Sequence, residues 1–191
     1  MTTLNNKVAI VTGSSKGIGA QIAILLAESG AKTVINYAND DAAANDIVSQ
    51  IKSAGGEAIA VQADVSDSQQ VATLFDTTVS EFGKPDILVN SAGMMINKPI
   101  AETTDEDFDR TFAVNVKGTF NTLREAAAKL NNGGRVVNLS STTTRMMLPT
   151  YGTYCATKGA VEQLTRVFAK EIGERGITVN AVSPGPTDTE L

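Results

Sequence analysis

Two residues with the types and spacing for acid–base chemistry are Tyr154 and Lys158, which lie four residues apart. In a helix, this spacing places the phenol and the ammonium one turn apart on the same face. A free tyrosine, with a pKa near ~10, transfers protons poorly at neutral pH, and a nearby positive charge lowers that pKa toward the working range. The pair therefore indicates carbonyl–alcohol redox chemistry, although the same spacing also suits a solvated helix face without a function.

The residue types that the sequence lacks remove several competing chemistries. It contains no histidine and one cysteine, Cys155. Without histidine, a Ser-His-Asp triad, a His-ligated zinc site and a histidine proton shuttle are excluded. One cysteine allows neither an intrachain disulfide nor a cysteine metal cluster, so we expect Cys155 to be a small packed residue and the protein to hold no metal.

Length and composition are those of one soluble globular domain. The chain has 191 residues, of which 42% are apolar and 19% charged, and its net charge of −5 is spread along the sequence. This distribution argues against a nucleic-acid or membrane-surface partner. The N-terminus lacks the pattern of a signal peptide and no apolar run could cross a bilayer, so we expect a cytoplasmic protein.

Short β-branched segments alternate with longer helical patterns along the chain. Strands are predicted at residues 7–12, 33–37, 58–62, 86–90, 135–139 and 178–182. Helices are predicted at residues 17–29, 40–54, 67–82, 104–130 and 151–174, the first with apolar residues Ile18, Ile22, Leu25 and Leu26. The alternation predicts an α/β fold, a doubly wound, Rossmann-like parallel sheet in three layers forming a single domain, with ligands beyond the carboxyl ends of the strands.

A glycine-rich segment, Thr12-Gly13-Ser14-Ser15-Lys16-Gly17-Ile18-Gly19, joins the first predicted strand to the first predicted helix. Glycines in this place let the backbone turn tightly and approach a pyrophosphate, whose charge is met by free N–H groups and the helix dipole. A tight connection without a ligand is the alternative. Because the segment lies at the first strand–helix junction, nucleotide binding is the favoured interpretation.

With the glycine motif in that place, the sequence resembles the short-chain dehydrogenase/reductase family over its whole length. The motif matches the family's Thr-Gly-x-x-x-Gly-x-Gly, and Asn90-Ser91-Ala92-Gly93 matches its Asn-Asn-Ala-Gly segment, with Ser91 replacing the second asparagine. Asn115 matches the active-site asparagine of the long central helix. The family's Ser and Tyr-x-x-x-Lys catalytic set is matched by Ser141, Tyr154 and Lys158. The segment Pro184-Gly185-Pro186-Thr187-Asp188-Thr189 matches the Pro-Gly-x-x-x-Thr segment that holds the nicotinamide amide.

The resemblance implies a mechanism for the catalytic candidates. Hydride would pass between nicotinamide C4 and a carbonyl carbon, while Tyr154 donates a proton to the developing alkoxide and Ser141 bonds the same oxygen. Lys158 would lower the tyrosine pKa and bond the nicotinamide ribose. Asn115 would hold a water that links Lys158 to solvent.

Two neighbouring residues are expected to have other roles. Tyr151 is a second phenol, but it lies two helical turns from Lys158, and we expect it to line the pocket. Ser140 would point to the opposite side of a continued strand from Ser141, and we expect it to pack or bond locally. Tyr154 and Ser141 are therefore the predicted catalytic pair.

The family resemblance also assigns the cofactor contacts. They fall on the glycine turn, on the ends of the second to fourth strands, on the catalytic helix and on the Pro-Gly segment: Gly13, Ser15, Lys16, Gly17, Ile18, Gly19, Asn36, Tyr37, Asp64, Val65, Asn90, Ala92, Gly93, Tyr154, Lys158, Pro184, Gly185, Thr187 and Thr189. Asp64 resembles the residue that bonds the adenine amino group, although it could simply belong to the start of the next helix.

The preferred cofactor is predicted from the end of the second strand. An acidic residue there would bond the adenosine ribose and repel a 2′-phosphate. Tyr37 takes the place where NAD-preferring relatives carry Asp, and Lys16 offers a cation close by. NADP(H) is therefore the expected cofactor and NAD(H) a possible one, since Asp40 and Asp41 follow closely.

The sequence ends directly after the Pro-Gly segment, where family members continue into a substrate-covering segment and a further strand. Residues 1–191 are thus expected to form an NAD(P)-binding domain without the C-terminal substrate segment and strand. Either the sequence is a piece of a longer protein, which we favour, or it is a truncated form that binds cofactor with little turnover.

The expected function is reduction of a ketone or a 3-oxoacyl group, because the residues that would face the substrate are apolar: Met94, Met95, Ile96, Met146, Met147 and Leu148. Oxidation of a sugar or polyol is one alternative, and a catalytically impaired cofactor-binding protein is another. The resemblance implies a small-molecule carbonyl or alcohol as substrate. It also implies a homo-oligomer, a dimer or tetramer, formed through the helix at 104–130 and the helix of Tyr154.

Overall fold

The computed structural model of the protein describes residues 4–187, and within them six strands form one parallel sheet in the order β3-β2-β1-β4-β5-β6. The strands are β1 Val8–Thr12, β2 Lys32–Tyr37, β3 Ala58–Gln62, β4 Ile87–Asn90, β5 Arg135–Leu139 and β6 Thr178–Val182. The α-helices are α1 Gly17–Glu28, α2 Asp41–Ser53, α3 Ser68–Phe82, α4 Asp105–Phe112, α5 Gly118–Lys129, α6 Thr143–Met146 and α7 Gly152–Ile172. Short 3₁₀ turns occur at Ile100–Glu102 and Gly173–Arg175. The prediction of a doubly wound α/β fold is confirmed.

Both faces of the sheet are covered, which makes the three layers. Successive side chains of a strand point to opposite faces, so Ile10 of β1 packs in one cluster and Val11 in the other. The first cluster contains residues of α3, α5 and α7, such as Phe75, Leu123 and Phe168. The second contains residues of α1 and α2. All five residues of β1 are buried, as expected of a central strand in a parallel sheet.

The helix predicted at 104–130 is interrupted, which corrects the sequence prediction. It begins at Asp105 with a capping box between Thr104 and Asp107, and α4 ends at Phe112. A π-helical segment, Ala113–Lys117, then joins it to α5. A π-helical turn inserts an extra residue into the helix and is frequent at functional sites. Here the segment contains Asn115.

The strand register brings the motifs to one edge of the sheet. Thr12 at the end of β1 pairs with Asn90 of β4, and Asn90 pairs with Asn138 of β5. The segments that follow these three strands therefore start at the same level. They are the glycine turn, residues 91–93 and residues 140–141.

Candidate active site

Helix α7 carries Tyr154 and Lys158 on its buried side. The spacing prediction is confirmed, since both residues lie in one helix and only 7% of Tyr154 and 6% of Lys158 is exposed. The Lys158 ammonium donates to the carbonyl of Leu139, the last residue of β5, with an N–O distance of 2.8 Å. The same nitrogen lies 5.6 Å from the centre of the Tyr154 ring. Burial lowers the pKa of Lys158 from 10.5 to about 8.

The pKa of Tyr154 differs from the expectation. Burial raises it above 10.0, a hydrogen bond with Ser141 opposes that change, and Lys158 is not among its causes. The predicted lowering by Lys158 is therefore absent in this structure. The physical reason is burial, because the phenol loses more hydration of its charged form than the hydrogen bond with Ser141 returns.

The two serines after β5 separate as the strand geometry predicted. Ser141, which bonds Tyr154, accepts hydrogen bonds from the amide and the hydroxyl of Thr143, at 3.2 and 2.9 Å. Ser140 instead donates to Glu162 of α7 at 2.9 Å. Ser140 is therefore buried, as expected, but its bond is to a distant residue and not a local one, while Ser141 is the serine whose hydrogen bond affects the pKa of Tyr154.

Asn115 is buried beneath the segment that follows β4. Its side-chain oxygen accepts from the amide of Met94 at 2.8 Å, and its side-chain nitrogen donates to the carbonyl of Met94 at 2.9 Å. A β-carbon placed on Gly93 would lie 3.5 Å from Oδ1 of Asn115 and 3.6 Å from Nζ of Lys158. The backbone at Gly93 therefore passes close to both polar groups, and the absence of a side chain keeps the space beside them open.

The glycine turn is tight in the way that the motif predicted. Gly13 and Gly17 have φ angles of +59° and +57°, in the left-handed region that favours glycine. A β-carbon on Gly13 would lie 2.7 Å from Cα of Ala92, and one on Gly19 would lie 2.5 Å from the carbonyl oxygen of Gly13. The turn thus packs against its own helix and against the segment after β4. Lys16 is the N-cap residue of α1, with Ser15 before it.

Buried polar side chains lock this turn in place. Oδ1 of Asn36 accepts from the amide of Gly13 at 3.2 Å, and its Nδ2 donates to the carbonyl of Ala63 at 3.0 Å. The hydroxyl of Ser14 donates to the carbonyl of Val11 at 2.7 Å. Thr12 accepts from the amides of Ser91 and Ala92, at 3.1 Å each, and so joins the two motifs. Sequence reasoning gave no role to Thr12 and Ser14, although both lie in the glycine motif.

Both acidic residues near the end of β2 are already engaged. The hydroxyl of Tyr37 donates to Oδ1 of Asp41 at 2.5 Å, and this bond is the main cause that raises the tyrosine pKa. Asp40 caps α2 by accepting from the amide of Ala43 at 3.0 Å. Each of the two carboxylates therefore has a hydrogen-bond partner within residues 37–43.

The adenine-side candidates lie between β3 and α3. Asp64 accepts from the amide and the hydroxyl of Ser66, at 2.8 Å each, while Asp67 is the N-cap of α3. The carbonyl of Val65 accepts from the side chain of Asn121 at 2.9 Å. Asp64 thus shapes the turn into α3, which is compatible with either of its predicted roles.

The Pro-Gly segment is only partly described. The carbonyl of Pro184 accepts from the amide and the hydroxyl of Thr142, at 3.1 Å each, so this segment lies beside Ser141. Thr187 donates to the carbonyl of Gly185 at 3.0 Å. Thr189 lies outside the described residues. The buried side chain of Asn90 donates to Asn138 at 2.8 Å and so joins β4 to β5.

Residues 4–187 contain no group of three or more His, Cys, Asp and Glu side chains that could hold a metal ion. In the same part of the chain, no helix has the length and the apolar character needed to cross a membrane. The polar groups that do converge are those at the carboxyl edge of the sheet.

Comparison with known protein families tests the family resemblance of these motifs. A family model described as short chain dehydrogenase matches residues 7–191. The chain belongs to the short-chain dehydrogenase/reductase family. It is therefore an NAD(P)-dependent oxidoreductase, and the family resemblance of its motifs is confirmed.

Similar members of the family come from fungi and bacteria. A short chain dehydrogenase/reductase of Cryptosporiopsis sp., dmxR18, is 47% identical over 189 residues, which make up 98% of this chain and 72% of that protein. A probable tetrahydroxynaphthalene reductase of Zymoseptoria tritici is 46% identical over 189 residues, 98% of this chain and 71% of that protein. The crystal structure of a short chain dehydrogenase from Burkholderia cenocepacia in complex with NADP has a TM-score of 0.95 at 40% identity, over 98% of this chain and 77% of that one.

Proposed function

We propose that this short-chain dehydrogenase/reductase uses NADPH to reduce a ketone or a 3-oxoacyl group. The observation that carries the proposal is the buried set of Ser141, Tyr154 and Lys158 at the carboxyl edge, beside the open backbone of Gly93. A buried phenol with a raised pKa is protonated at neutral pH, and that is the form needed to give a proton to a carbonyl oxygen.

The chain's residues supply orientation and the proton. When bound, the nicotinamide cofactor supplies the hydride. Tyr154 donates its proton to the carbonyl oxygen as the alcohol forms, and Ser141 donates a hydrogen bond to the same oxygen. Lys158, held against the carbonyl of Leu139, keeps a positive charge beside the phenol. Asn115 fixes the backbone that passes over this group.

The residues at the edge of the sheet fit a dinucleotide. The turn at Gly13 and Gly17 leads into the N-terminus of α1, where backbone N–H groups favour a pyrophosphate. Gly93, Lys158 and Pro184 would hold the nicotinamide half, together with the other residues named from the family resemblance. We assign residues 1–191 to one NAD(P)-binding domain on this basis.

The preference for NADPH is proposed from charge. Tyr37 ends β2 without a carboxylate, and its hydroxyl engages Asp41. Lys16, the N-cap residue of α1, adds a cation to the glycine turn. A 2′-phosphate therefore meets less negative charge than in a site with a strand-end aspartate. The NADP complex of the Burkholderia cenocepacia relative supports the same preference.

The substrate class is proposed from the apolar surface near the phenol. Met146 at the end of α6 is exposed, and so are Met147 and Leu148 in the segment that leads to α7 and Tyr154. Methionine side chains adapt to varied apolar shapes, which favours a ketone or an acyl group over a sugar. The reductase name of the Zymoseptoria tritici relative supports reduction.

Self-association is also proposed, through the face of α4 and α5. Phe108 and Phe120 are both nearly half exposed there, and Phe108 stacks on Phe112 with ring centres 4.4 Å apart. Val161 and Phe168 of α7 are instead buried in the core of the chain. Phe108 and Phe120 therefore make the α4–α5 face a candidate for a contact between subunits.

The proposed reaction is tested by following the absorbance of NADPH and of NADH with a panel of ketones, 3-oxoacyl thioesters and sugars. We expect oxidation of NADPH with a ketone or a 3-oxoacyl thioester, and slower oxidation of NADH. Tight binding of NADPH without turnover of any carbonyl would contradict the reductase function. Turnover with sugars or polyols alone would contradict the proposed substrate class.

A further inference from the structure

Thr157 is a fully buried residue between Tyr154 and Lys158 on α7. Its hydroxyl donates to the carbonyl of Tyr154 at 2.7 Å. Its oxygen accepts from Nδ2 of Asn115 at 3.0 Å. The threonine thus joins the catalytic helix to the π-helical segment.

The hydrogen bonds of Met94 determine which way the Asn115 amide points. The N–H of Met94 can only donate, so the side-chain atom that faces it is the oxygen, and the carbonyl of Met94 can only accept, so its partner is the nitrogen. The second hydrogen of that nitrogen points to Thr157. Because the proton of Thr157 is used on the carbonyl of Tyr154, its oxygen is free to accept. Every polar atom of the Asn115 and Thr157 side chains then has a hydrogen-bond partner.

These contacts lead from α7 to the backbone beside the ammonium. Thr157 bonds Asn115, which clamps both backbone groups of Met94. Met94 follows Gly93, whose missing β-carbon would lie 3.6 Å from Nζ of Lys158. The position of the backbone over Lys158 therefore depends on a hydroxyl that comes from the same helix as Lys158.

We propose that Thr157 is a positioning residue of the active site. Its hydroxyl fixes the Asn115 amide, and the amide fixes the Gly93–Met94 backbone against Lys158. Valine has the shape of threonine without the hydroxyl, so it would leave a buried N–H of Asn115 unpaired and allow the amide to turn. The effect on turnover rests on the proposed function, whereas the effect on the Met94 backbone does not.

Thr78 provides a matched control in another helix. It is also fully buried, and its hydroxyl donates to the carbonyl of Leu74 at 2.8 Å within α3. Thr78→Val removes a buried helical hydroxyl without touching the active site. A general loss of stability would affect both valine variants alike.

The test compares Thr157→Val, Thr157→Ser and Thr78→Val in the full chain. Hydrogen exchange of the segment 92–96 is measured first, and kcat and KM with NADPH second. We expect Thr157→Val to raise the exchange of the Met94 amide by about tenfold. We also expect kcat to fall by about tenfold with a smaller change in KM, because a misplaced backbone affects the chemical step. Thr157→Ser should restore both quantities, and Thr78→Val should change neither.

Unchanged exchange in Thr157→Val, or exchange that Thr157→Ser does not restore, would overturn the proposal. Should the valine variant not fold, Thr157→Ala gives the same exchange test. A wild-type protein without NADPH turnover would contradict the proposed function, but the exchange comparison would still decide the role of Thr157.

Discussion

The two halves of the carboxyl edge are built by different means. In the half formed by β1 and β2, the geometry is set by the backbone, with glycines in the left-handed region and neutral side chains such as Asn36 and Ser14 that bond main-chain groups. In the half formed by β4, β5 and α7, it is set by side chains, among which Lys158 is buried and ionisable. The first half is therefore sensitive to the space around the backbone, and the second to charge and pH.

This difference separates the two tasks of the enzyme. A backbone turn can receive a pyrophosphate without changing protonation, so it suits cofactor binding. A phenol held beside a serine hydroxyl and an ammonium can give a proton to a bound carbonyl oxygen, so this half suits proton transfer. Changes in one half should thus affect binding and changes in the other should affect turnover.

The largest effect is expected from Gly13→Ala, which crowds the backbone half. The added methyl group would lie 2.7 Å from Cα of Ala92, at a φ of +59°. Overpacking and left-handed strain together should lower the unfolding free energy by about 4 kcal/mol. Binding of NADPH should weaken by about 100-fold, since the turn must move away from its position. Chemical unfolding and a fluorescence titration with NADPH measure the two effects.

Gly133→Ala is the control for this variant. Gly133 has a similar φ of +74°, but nothing lies within 4 Å of its missing β-carbon. It should lose about 1 kcal/mol from strain alone and keep its affinity for NADPH. If Gly13→Ala and Gly133→Ala lowered the unfolding free energy equally, the effect of Gly13→Ala would come from backbone strain and not from a clash with Ala92.

The pH dependence of stability should reside in the catalytic half. Because the pKa of Lys158 falls from 10.5 to about 8 on folding, the unfolded state binds more protons between these values. The unfolding free energy therefore rises with pH through this window. Below a pH of about 8, the cost of burying the charged ammonium is fully present. Relative to Lys158→Met, the wild type should gain about 3 kcal/mol on going from pH 7 to pH 10.5.

Urea unfolding of the wild type and of Lys158→Met at several pH values checks this expectation. The difference between the two proteins removes contributions from other groups, including the raised pKa of Tyr154. A difference that does not vary with pH would mean that Lys158 keeps an ordinary pKa in the folded protein.

The smallest effect is expected from Tyr37→Phe, at the outer end of the backbone half. Removing the hydroxyl releases the carboxylate of Asp41 from its bond at 2.5 Å. The released charge should repel a 2′-phosphate, so the ratio of NADPH to NADH affinity should fall by about fivefold. Parallel titrations with both cofactors measure the ratio, and adding Asp41→Asn should restore it. An unchanged ratio would mean that Tyr37 does not influence the preference between NADPH and NADH.

The strands of both halves could be predicted from the sequence. Strand bounds agree to within one residue, and β5 and β6 match the predicted ranges. The buried side of α1 was harder to predict, because Ala20, Ala23 and Ile24 face the core while Leu25 is 59% exposed. Gly19 lies so near Gly13 that only small residues fit where this helix meets the sheet.

Two features of the catalytic half depend on contacts that no local pattern carries. The π-helical segment lies where Asn115 bonds Met94 and Thr157, residues far from it in sequence. The raised pKa of Tyr154 depends on burial, which the four-residue spacing to Lys158 does not reveal. The four-residue spacing pointed to Tyr154 and Lys158 as candidates. The direction of their pKa shifts could be found only from the folded structure, because burial causes both shifts.

The central claim is that Tyr154 donates the proton while the glycine turn holds NADPH independently of it. Measuring NADPH affinity and ketone turnover of Tyr154→Phe beside Tyr151→Phe tests it directly. We expect Tyr154→Phe to keep its affinity within about threefold and to lose turnover by about 100-fold or more, with Tyr151→Phe far less affected. Full turnover by Tyr154→Phe, or loss of NADPH binding together with turnover, would contradict the account.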